Sequence, residues 1–251
     1  MIFTNLIQTN LNTKIFGRKI EYFTITNSTN EDVWESLDEI DEGFLVITDQ
    51  QTKGRGRRGN SWLSEPGESL TFSFLIKPQL SLEKIGLLSL ITGVAVAEGI
   101  SQFSQLDCKL KWPNDIILND KKVGGILAES KQIEGETYVV MGVGINVNEQ
   151  DFPSELSGIA TSLRLEKESP IQREPLLAFI LNSFELMYNR KDSEWIKAWN
   201  SHCGHLNSDV KFHHENKTIQ GTFIKIDTMG QAIININGIT TNFSSGIVEL
   251  S

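Results

Sequence analysis

The character of the chain changes near residue 207, and this change constrains the fold more than any other feature. Before it, strand-like runs alternate with helical stretches, the strand-like runs being residues 20–25, 44–48, 70–76 and 139–147. Apolar residues spaced three and four apart predict helices over residues 81–103 and 176–187. After residue 207 only short strands follow, with turns at 227–230 and at Asn237-Gly238.

The pattern therefore predicts two units in series. Residues 1–206 should form an α+β domain, a mixed sheet with helices, and residues 207–251 a small β-barrel. A length of 251 residues accommodates both, since domains commonly contain about 100–200 residues.

Charge and cysteine content exclude several classes of protein. A net charge of −9 argues against a protein that mainly holds nucleic acid, because phosphate binding needs a positive face. Cys108 and Cys203 lie far apart without metal-ligand spacing, so neither a disulfide framework nor a zinc site is indicated. We find no signal-peptide core and no apolar run of the ~20 residues that span a bilayer. These features predict a soluble cytoplasmic protein.

The segment Gly54-Arg55-Gly56-Arg57-Arg58-Gly59 predicts an anion-binding loop. Glycines let the backbone approach a ligand closely, and arginines supply bidentate donors for carboxylate or phosphate. A dinucleotide-binding turn would need a helix to open at Gly59, but residues 64–67 break the chain first. A P-loop fails because Asn60 stands where that motif requires lysine. The remaining alternative is a solvated, flexible basic loop.

A second motif runs from Lys111-Trp112-Pro113-Asn114-Asp115 to residues 123–127. Residues 119–122 should form a hairpin turn between two apolar strands, and Lys122 would then lie on a fixed element. Lys121 and Lys122 could equally be ordinary turn lysines. Gly124-Gly125 favours a site, since paired glycines in a strand indicate close approach of a ligand or another backbone.

Two further segments carry polar groups on ordered elements. Asn146 follows two glycines in the apolar run 142–148, where it is either a satisfied core amide or a ligand contact. Ser28-Thr29-Asn30-Glu31 starts a helix, where Ser28 and Glu31 match a capping box. A helix start with spare polar groups also binds a polar ligand head.

Taken in order, these motifs resemble the biotin protein ligase family over essentially the whole chain. The β-rich tail, with residues 221–227 and 245–248, is similar to the SH3-like C-terminal domain of that family. The resemblance implies a class II synthetase-like catalytic domain that forms biotinyl-5′-AMP from biotin and ATP, with magnesium carried by ATP rather than by a metal site of the protein. It also implies transfer of the biotin to one lysine of a biotin carboxyl carrier protein.

The resemblance further implies a role for each residue in these motifs. Lys122 and Arg57 are the expected catalytic residues. The expected biotin-binding residues are Ser28, Thr29, Asn30, Gln51, Gly54, Arg55, Gly56, Arg57, Lys122 and Gly125. The expected nucleotide-binding residues are Arg57, Arg58, Trp62, Lys111, Asn114, Asp115 and Asn146. Asn60 departs from the basic residue more common in relatives, so the affinity of the loop for phosphate is expected to differ.

The expected partners are biotin, ATP and a carrier domain, and homodimers occur in the family. About twenty residues precede the first strand, too few for the helix-turn-helix domain of the relatives that act as repressors, so we expect no sequence-specific DNA binding. Three alternatives stay open at this point: a lipoate or octanoate ligase of the same fold, a catalytically silent binding module, and a nucleic-acid-binding protein. His202, His205, His213 and His214 form no metal-ligand pattern and are expected at the surface or in packing.

Overall fold

A seven-stranded mixed sheet forms the centre of the first part of the chain. The computed structural model describes residues 1–215 and 217–250. The sheet consists of β1 (Ile20–Thr26), β2 (Leu45–Gln51), β3 (Leu70–Ile76), β4 (Lys109–Lys111), β5 (Asp115–Leu118), β6 (Lys121–Ile133) and β7 (Glu136–Ile145). Its spatial order is β1-β2-β3-β7-β6-β5-β4. Strands β1 and β2 are parallel and the other neighbours are antiparallel, which confirms the mixed sheet.

Helices cover both faces of this sheet. They are α1 (Thr4–Asn10), α2 (Thr29–Glu35), α3 (Gly86–Ser104), α4 (Leu163–Lys167), α5 (Arg173–Tyr188) and α6 (Asp192–His202). Successive strand residues point to opposite faces, so the fully buried β3 sends Phe72 and Phe74 to the larger core and Leu75 to the smaller one. The larger core lies under α3 and α5, and the smaller one lies under α2.

Helix α3 corrects one expectation from the sequence. The helical segment Leu82–Ser104 is long and apolar enough to cross a membrane by length and composition, although no such segment was expected. In the structure 67% of its most apolar window is buried inside the protein. The segment begins with a 3₁₀ turn at Leu82–Lys84 and packs against α5 and α6. Because other parts of the protein surround this helix, apolar residues occur around most of its circumference.

The second part of the chain contains a five-stranded antiparallel sheet, which confirms the expected SH3-like region. Its strands are β8 (Ser208–His214), β9 (Lys217–Ile226), β10 (Ala232–Ile236), β11 (Ile239–Phe243) and β12 (Ile247–Leu250), in the order β11-β10-β9-β8-β12. The turn Asn237-Gly238 has positive φ at both residues, as predicted for a two-residue hairpin. A domain boundary between residues 206 and 207 stays a prediction.

The two sheets share one hydrophobic cluster. Trp199 from α6 packs against Phe223 from β9, with ring centroids 6.3 Å apart. The Trp112 indole donates to the Gly230 carbonyl at 3.1 Å and lies 5.9 Å from the Phe212 ring. The segment that carries Lys111 and Asn114 is therefore fixed against the C-terminal sheet.

Candidate active site

An open cavity of about 1000 Å³ brings the motifs together. Of the residues expected in the site, those lining this cavity are Ser28, Thr29, Asn30, Gln51, Arg55, Gly56, Arg57, Arg58, Trp62, Lys111, Asn114, Asp115, Lys122 and Gly125. Ile126, Leu127 and Val143 add apolar wall. A concave site with an apolar lining and a few convergent polar groups is typical of small-molecule binding.

A buried polar network forms one end of the cavity. Ser28, Thr29 and Asn30 are all buried at the start of α2. The Thr29 and Ser73 hydroxyls lie 2.6 Å apart, and the Ser73 hydroxyl donates to Asn30 Oδ1 at 2.6 Å. The Asn30 amide donates to Glu129 Oε2 at 2.9 Å. Such a network fixes the direction of each donor and acceptor that a ligand would meet.

The capping box predicted for this helix does not form. Ser28 occupies the N-cap position without a side-chain cap hydrogen bond. Instead, Gln51 Oε1 accepts from the Thr29 main-chain N–H at 2.8 Å. Glu31 lies 3.6 Å from the Arg55 guanidinium. A side chain from β2 therefore satisfies one main-chain donor of the helix start, and Glu31 faces the glycine-arginine loop.

Two glycines of β7 leave room for site residues. A Cβ added at Gly142 would lie 2.3 Å from Asn30 Oδ1. A Cβ added at Gly144 would lie 2.3 Å from the Trp62 ring. Gly124 also lies close to another backbone, because its added Cβ would be 2.8 Å from the Gly144 carbonyl. The predicted close approach of another backbone is therefore found at Gly124, whereas a Cβ added at Gly125 would first meet the Lys122 side chain, at 3.4 Å.

The glycine-arginine loop folds back on itself over the cavity. Its ends meet where the Trp62 N–H donates to the Gly54 carbonyl at 2.9 Å, and the Gly56 N–H donates to the Asn60 carbonyl at 2.7 Å. Arg58 and Gly59 have positive φ. A 3₁₀ turn at Arg57–Gly59 replaces the helix that a dinucleotide-binding turn requires.

Gly54 is not among the residues that line the cavity. A Cβ added there would lie 2.3 Å from the Trp62 carbonyl and 2.8 Å from Gln51 Nε2. Gly54 therefore lets the two ends of the loop meet and leaves space for the Gln51 amide.

The loop arginines have different surroundings. The Arg55 guanidinium lies between two carboxylates, 3.6 Å from that of Glu31 and 3.3 Å from that of Glu129. Arg57 donates to Asn114 Oδ1 at 3.2 Å. Burial, followed by the charge of Arg58, lowers the pKa of Arg57 from its usual value, and Asp115 opposes this shift. A cation that is costly to bury gains most from a bound anion.

Lys122 lies on β6 directly after the hairpin turn. The turn contains only Asn119 and Asp120, both with positive φ, and β6 starts at Lys121. Lys121 and Lys122 are therefore strand residues, and the predicted four-residue turn was too long. Lys122 Nζ lies 2.6 Å from Asp115 Oδ1, and Lys111 Nζ lies 3.5 Å from Asp115 Oδ2.

Asn146 does not line the cavity. Its amide donates to the Thr161 carbonyl at 3.0 Å, and its main-chain N–H donates to the Val123 carbonyl at 2.8 Å. Of the two readings open from the sequence, these contacts fit the satisfied core amide. Its expected role in nucleotide binding stays a prediction.

Sequence reasoning missed several residues of the site. Ser73 and Glu129 complete the polar network around Asn30, and Thr71 accepts from the Trp62 indole at 3.4 Å. Gly246 and Ile247 from the C-terminal sheet also line the cavity. The strand alternation of β3 could have indicated Thr71 and Ser73 as polar positions inside an apolar strand.

Comparisons with known proteins agree with this geometry. A model of the biotin/lipoate A/B protein ligase family matches residues 22–146. The bifunctional ligase/repressor BirA of Bacillus subtilis is 34% identical over 250 residues, 96% of this chain and 77% of that protein. The biotin–[acetyl-CoA-carboxylase] ligase of Mycobacterium tuberculosis is 28% identical over 242 residues, 92% of this chain and 88% of that protein.

A solved structure matches the fold as well. Biotin protein ligase from Aquifex aeolicus in complex with biotin and ATP gives a TM-score of 0.80 at 29% identity, over 93% of this chain and 99% of that one. The resemblance to biotin protein ligases inferred from the four motifs is confirmed. The chain belongs to the biotin/lipoate A/B protein ligase family.

Proposed function

We propose that this protein is an ATP-dependent biotin ligase that acts on a carrier protein. It forms biotinyl-5′-AMP and diphosphate from biotin and ATP, and it then transfers biotin to a specific lysine of a biotin carboxyl carrier protein. One observation carries the proposal: Arg57, Lys111 and Lys122 converge on a cavity that also contains the buried polar network around Asn30.

The first step must bring two anions together. The biotin carboxylate attacks the α-phosphate of ATP, and two like charges about 4 Å apart repel by roughly 4 kcal/mol at an effective dielectric constant of 20. Uncompensated, this repulsion would slow the reaction by about a thousandfold. Fixed cations at the junction offset it without reorganisation. Lys122, on a strand and 2.6 Å from Asp115, is a cation positioned for this role.

The polar network is suited to the ureido group of biotin. Ser28, Thr29, Asn30 and Gln51 present hydroxyl and amide groups at one end of a slot with apolar walls. Hydroxyls and amides both donate and accept, which matches a group that carries two N–H donors and one carbonyl. The apolar wall of Ile126, Leu127 and Val143 would then contact the rest of biotin.

Loop residues are suited to the adenylate. Arg57 and Arg58 supply donors for phosphate oxygens, and the Trp62 ring offers a flat face to adenine. Arg57 is already held by Asn114. In the second step the amine of the carrier lysine attacks the acyl carbon of biotinyl-5′-AMP, and AMP leaves. A closed loop retains the adenylate until that attack.

Magnesium would enter with ATP and offset part of the phosphate charge. The Asp115 carboxylate lines the cavity between Lys111 and Lys122. A single cavity-facing carboxylate fits an ion that is held mainly by substrate phosphates. Asp115 is therefore the residue that would help to place the ion, whereas Asn146 lies outside the cavity lining.

The remaining partners are also proposals. We infer that the carrier belongs to an acyl-CoA carboxylase and that the protein acts in the cytoplasm. Absence of sequence-specific DNA binding rests on the net charge of −9 and is tested by a salt-dependent mobility shift with operator-like DNA. A homodimer is tested by light scattering with and without biotin and ATP.

Diphosphate release distinguishes the proposed function from its alternatives. The purified protein is mixed with ATP, magnesium and one of three acids: biotin, lipoate or octanoate. Release of diphosphate with biotin, and not with lipoate or octanoate, supports the proposal. Release that prefers lipoate or octanoate assigns the chain to the other branch of the family, and biotin binding without release identifies a silent binding module.

A further inference from the structure

The main chain of Lys122 is held by a segment from a distant part of the sequence. Residues 159–161, which we call the strap, run parallel to β6 at this position. The Lys122 N–H donates to the Ile159 carbonyl at 2.8 Å, and the Thr161 N–H donates to the Lys122 carbonyl at 2.9 Å. Both main-chain hydrogen-bonding groups of Lys122 therefore reach the strap.

The sheet itself is irregular at this point. Ile117 pairs with Lys122 whereas Ile116 pairs with Gly124, so the register of β5 and β6 shifts beside Lys122. A shift of this kind leaves one residue unpaired and disrupts the ladder locally. The strap therefore contributes directly to where the Lys122 main chain lies.

One carboxylate ties the strap to the hairpin turn before Lys122. Glu166 Oε1 accepts from the Thr161 hydroxyl at 2.5 Å, and Glu166 Oε2 accepts from the Asn119 amide at 2.5 Å. Asn119 is the first residue of the turn that leads into β6. Glu166 thus links the strap, which is hydrogen-bonded to the Lys122 main chain, to the turn that precedes Lys122 in the sequence.

Helix α4 holds Glu166 in place. The Ser162 hydroxyl caps this helix by accepting from the Leu165 N–H at 3.1 Å. The Asn146 amide donates to the Thr161 carbonyl at 3.0 Å, which anchors the strap from the side of β7. Thr161 is therefore held through its hydroxyl by Glu166 and through its carbonyl by Asn146.

We infer that Glu166 is a positioning residue for Lys122: it joins the strap to the Asn119 turn and so fixes the ammonium group where the carboxylate and the phosphate meet. The inference rests on the proposed function, because Lys122 acts there on the reacting anions. Glu166 does not line the cavity, so its effect should fall on the rate and not on the affinity for biotin. Misplacement by about 1 Å costs about a hundredfold in rate.

The test compares three substitutions in the full chain. Glu166→Ala removes both hydrogen bonds. With saturating carrier domain present, so that the adenylate is consumed and the enzyme turns over, we expect kcat for biotin-dependent diphosphate release to fall by about tenfold or more while KM for biotin changes by less than about twofold. Glu166→Gln should stay within about threefold of the parent, because its carbonyl accepts from Asn119 and its amide donates to Thr161. Asn119→Gly keeps the positive φ and removes one bond, so an intermediate loss is expected.

Lys167→Ala provides the matched control. Lys167 lies on the same helix and donates to the Ser104 carbonyl at 2.8 Å, away from the strap. The Lys167→Ala substitution should lower the melting temperature without changing kcat. Amide hydrogen exchange at Lys122 and Thr161 should accelerate in Glu166→Ala and stay near the parent rate in Lys167→Ala.

Failure of this inference differs from failure of the proposed function. A parent protein that releases no diphosphate refutes the proposed function and, with it, the positioning role of Glu166 in that reaction. An active parent with an unchanged kcat in folded Glu166→Ala, or equal losses in Glu166→Ala and Glu166→Gln, overturns the positioning role alone. If Glu166→Ala does not fold, an unchanged kcat in Asn119→Gly overturns it.

Discussion

The Lys122 ammonium lies 2.6 Å from the Asp115 carboxylate, and both groups face the same cavity. Strand pairing keeps the two close, because β5 and β6 are antiparallel neighbours. Lys111 approaches the same carboxylate from β4. This arrangement places two cations around one anion before any substrate binds, so little reorganisation is needed when a phosphate enters.

Replacement of Lys122 by alanine should abolish adenylate formation and leave biotin affinity within about tenfold of the parent, since the cation acts on charge that develops during reaction. Diphosphate release and calorimetric titration with biotin measure the two effects. Lys121→Ala is the matched control, because the neighbouring strand residue points to the opposite face. Unchanged turnover in Lys122→Ala would remove this residue from the mechanism.

Replacement of Arg57 by glycine should let biotinyl-5′-AMP escape. The Arg57 side chain joins the loop to Asn114 across the cavity, and a loop without this contact holds the adenylate less well. Bystander proteins should then acquire biotin on their lysines, as measured by mass spectrometry of a mixture with added albumin. Labelling no higher than with the parent would refute this role of Arg57.

Residues 54–61 should be mobile without ligands and ordered over biotinyl-5′-AMP. Three glycines make the loop costly to order, and few main-chain hydrogen bonds close it. Limited digestion with trypsin should cut at Arg57 or Arg58 in the free protein and more slowly when biotin and ATP are present. Equal cutting rates in both conditions would contradict the prediction.

Gly142→Ala should weaken biotin binding. The added methyl group would lie 2.3 Å from Asn30 Oδ1, so Asn30 must move out of the network that holds it. We expect a rise of about tenfold or more in the dissociation constant, since a displaced buried polar group costs about 1–3 kcal/mol. Gly86→Ala, where an added Cβ meets nothing within 4 Å, is the control. Equal affinities in both variants would speak against the role of Asn30.

His205 should make the protein less stable in acid. It is buried with its ring 4.3 Å from that of Phe223, as expected for a packing histidine. Burial, and then the Lys111 charge, lower its pKa to about 4. The unfolded chain, with a histidine pKa of about 6.5, binds more protons between these two values, so stability falls as pH drops from about 6.5 to about 4.

The expected loss is about 3 kcal/mol over this pH range. His205→Phe keeps an aromatic ring and removes the titration, so its free energy of unfolding should depend less on pH. Urea unfolding of both proteins between pH 4 and pH 7 measures the difference. An identical pH dependence in the two proteins would show that His205 is not the group responsible.

Much of the cavity could be predicted because its residues occur in short motifs. Arg57 belongs to a loop whose composition indicates anion binding, and Lys122 belongs to a hairpin that the sequence predicts and that the pairing of β5 with β6 forms. The change near residue 207 from mixed strands and helices to strands only could also be predicted, because apolar residues recur with different spacings in strands and in helices.

The rest depends on contacts between distant residues. Glu129 meets Asn30 across 99 residues of sequence, and Gly246 lines the cavity from the C-terminal sheet, which packs on Trp112. The capping box does not form, and Glu31 lies instead 3.6 Å from Arg55 of the glycine-arginine loop. Local sequence patterns contain no information about such partners.

The most direct test is the mass of a carrier domain after incubation with this protein, biotin, ATP and magnesium. We predict that the carrier gains one biotinyl group on a single lysine, and that omission of ATP or use of Lys122→Ala prevents the gain. An unmodified carrier in the complete mixture, under conditions where an established biotin protein ligase modifies it, would contradict the proposed function.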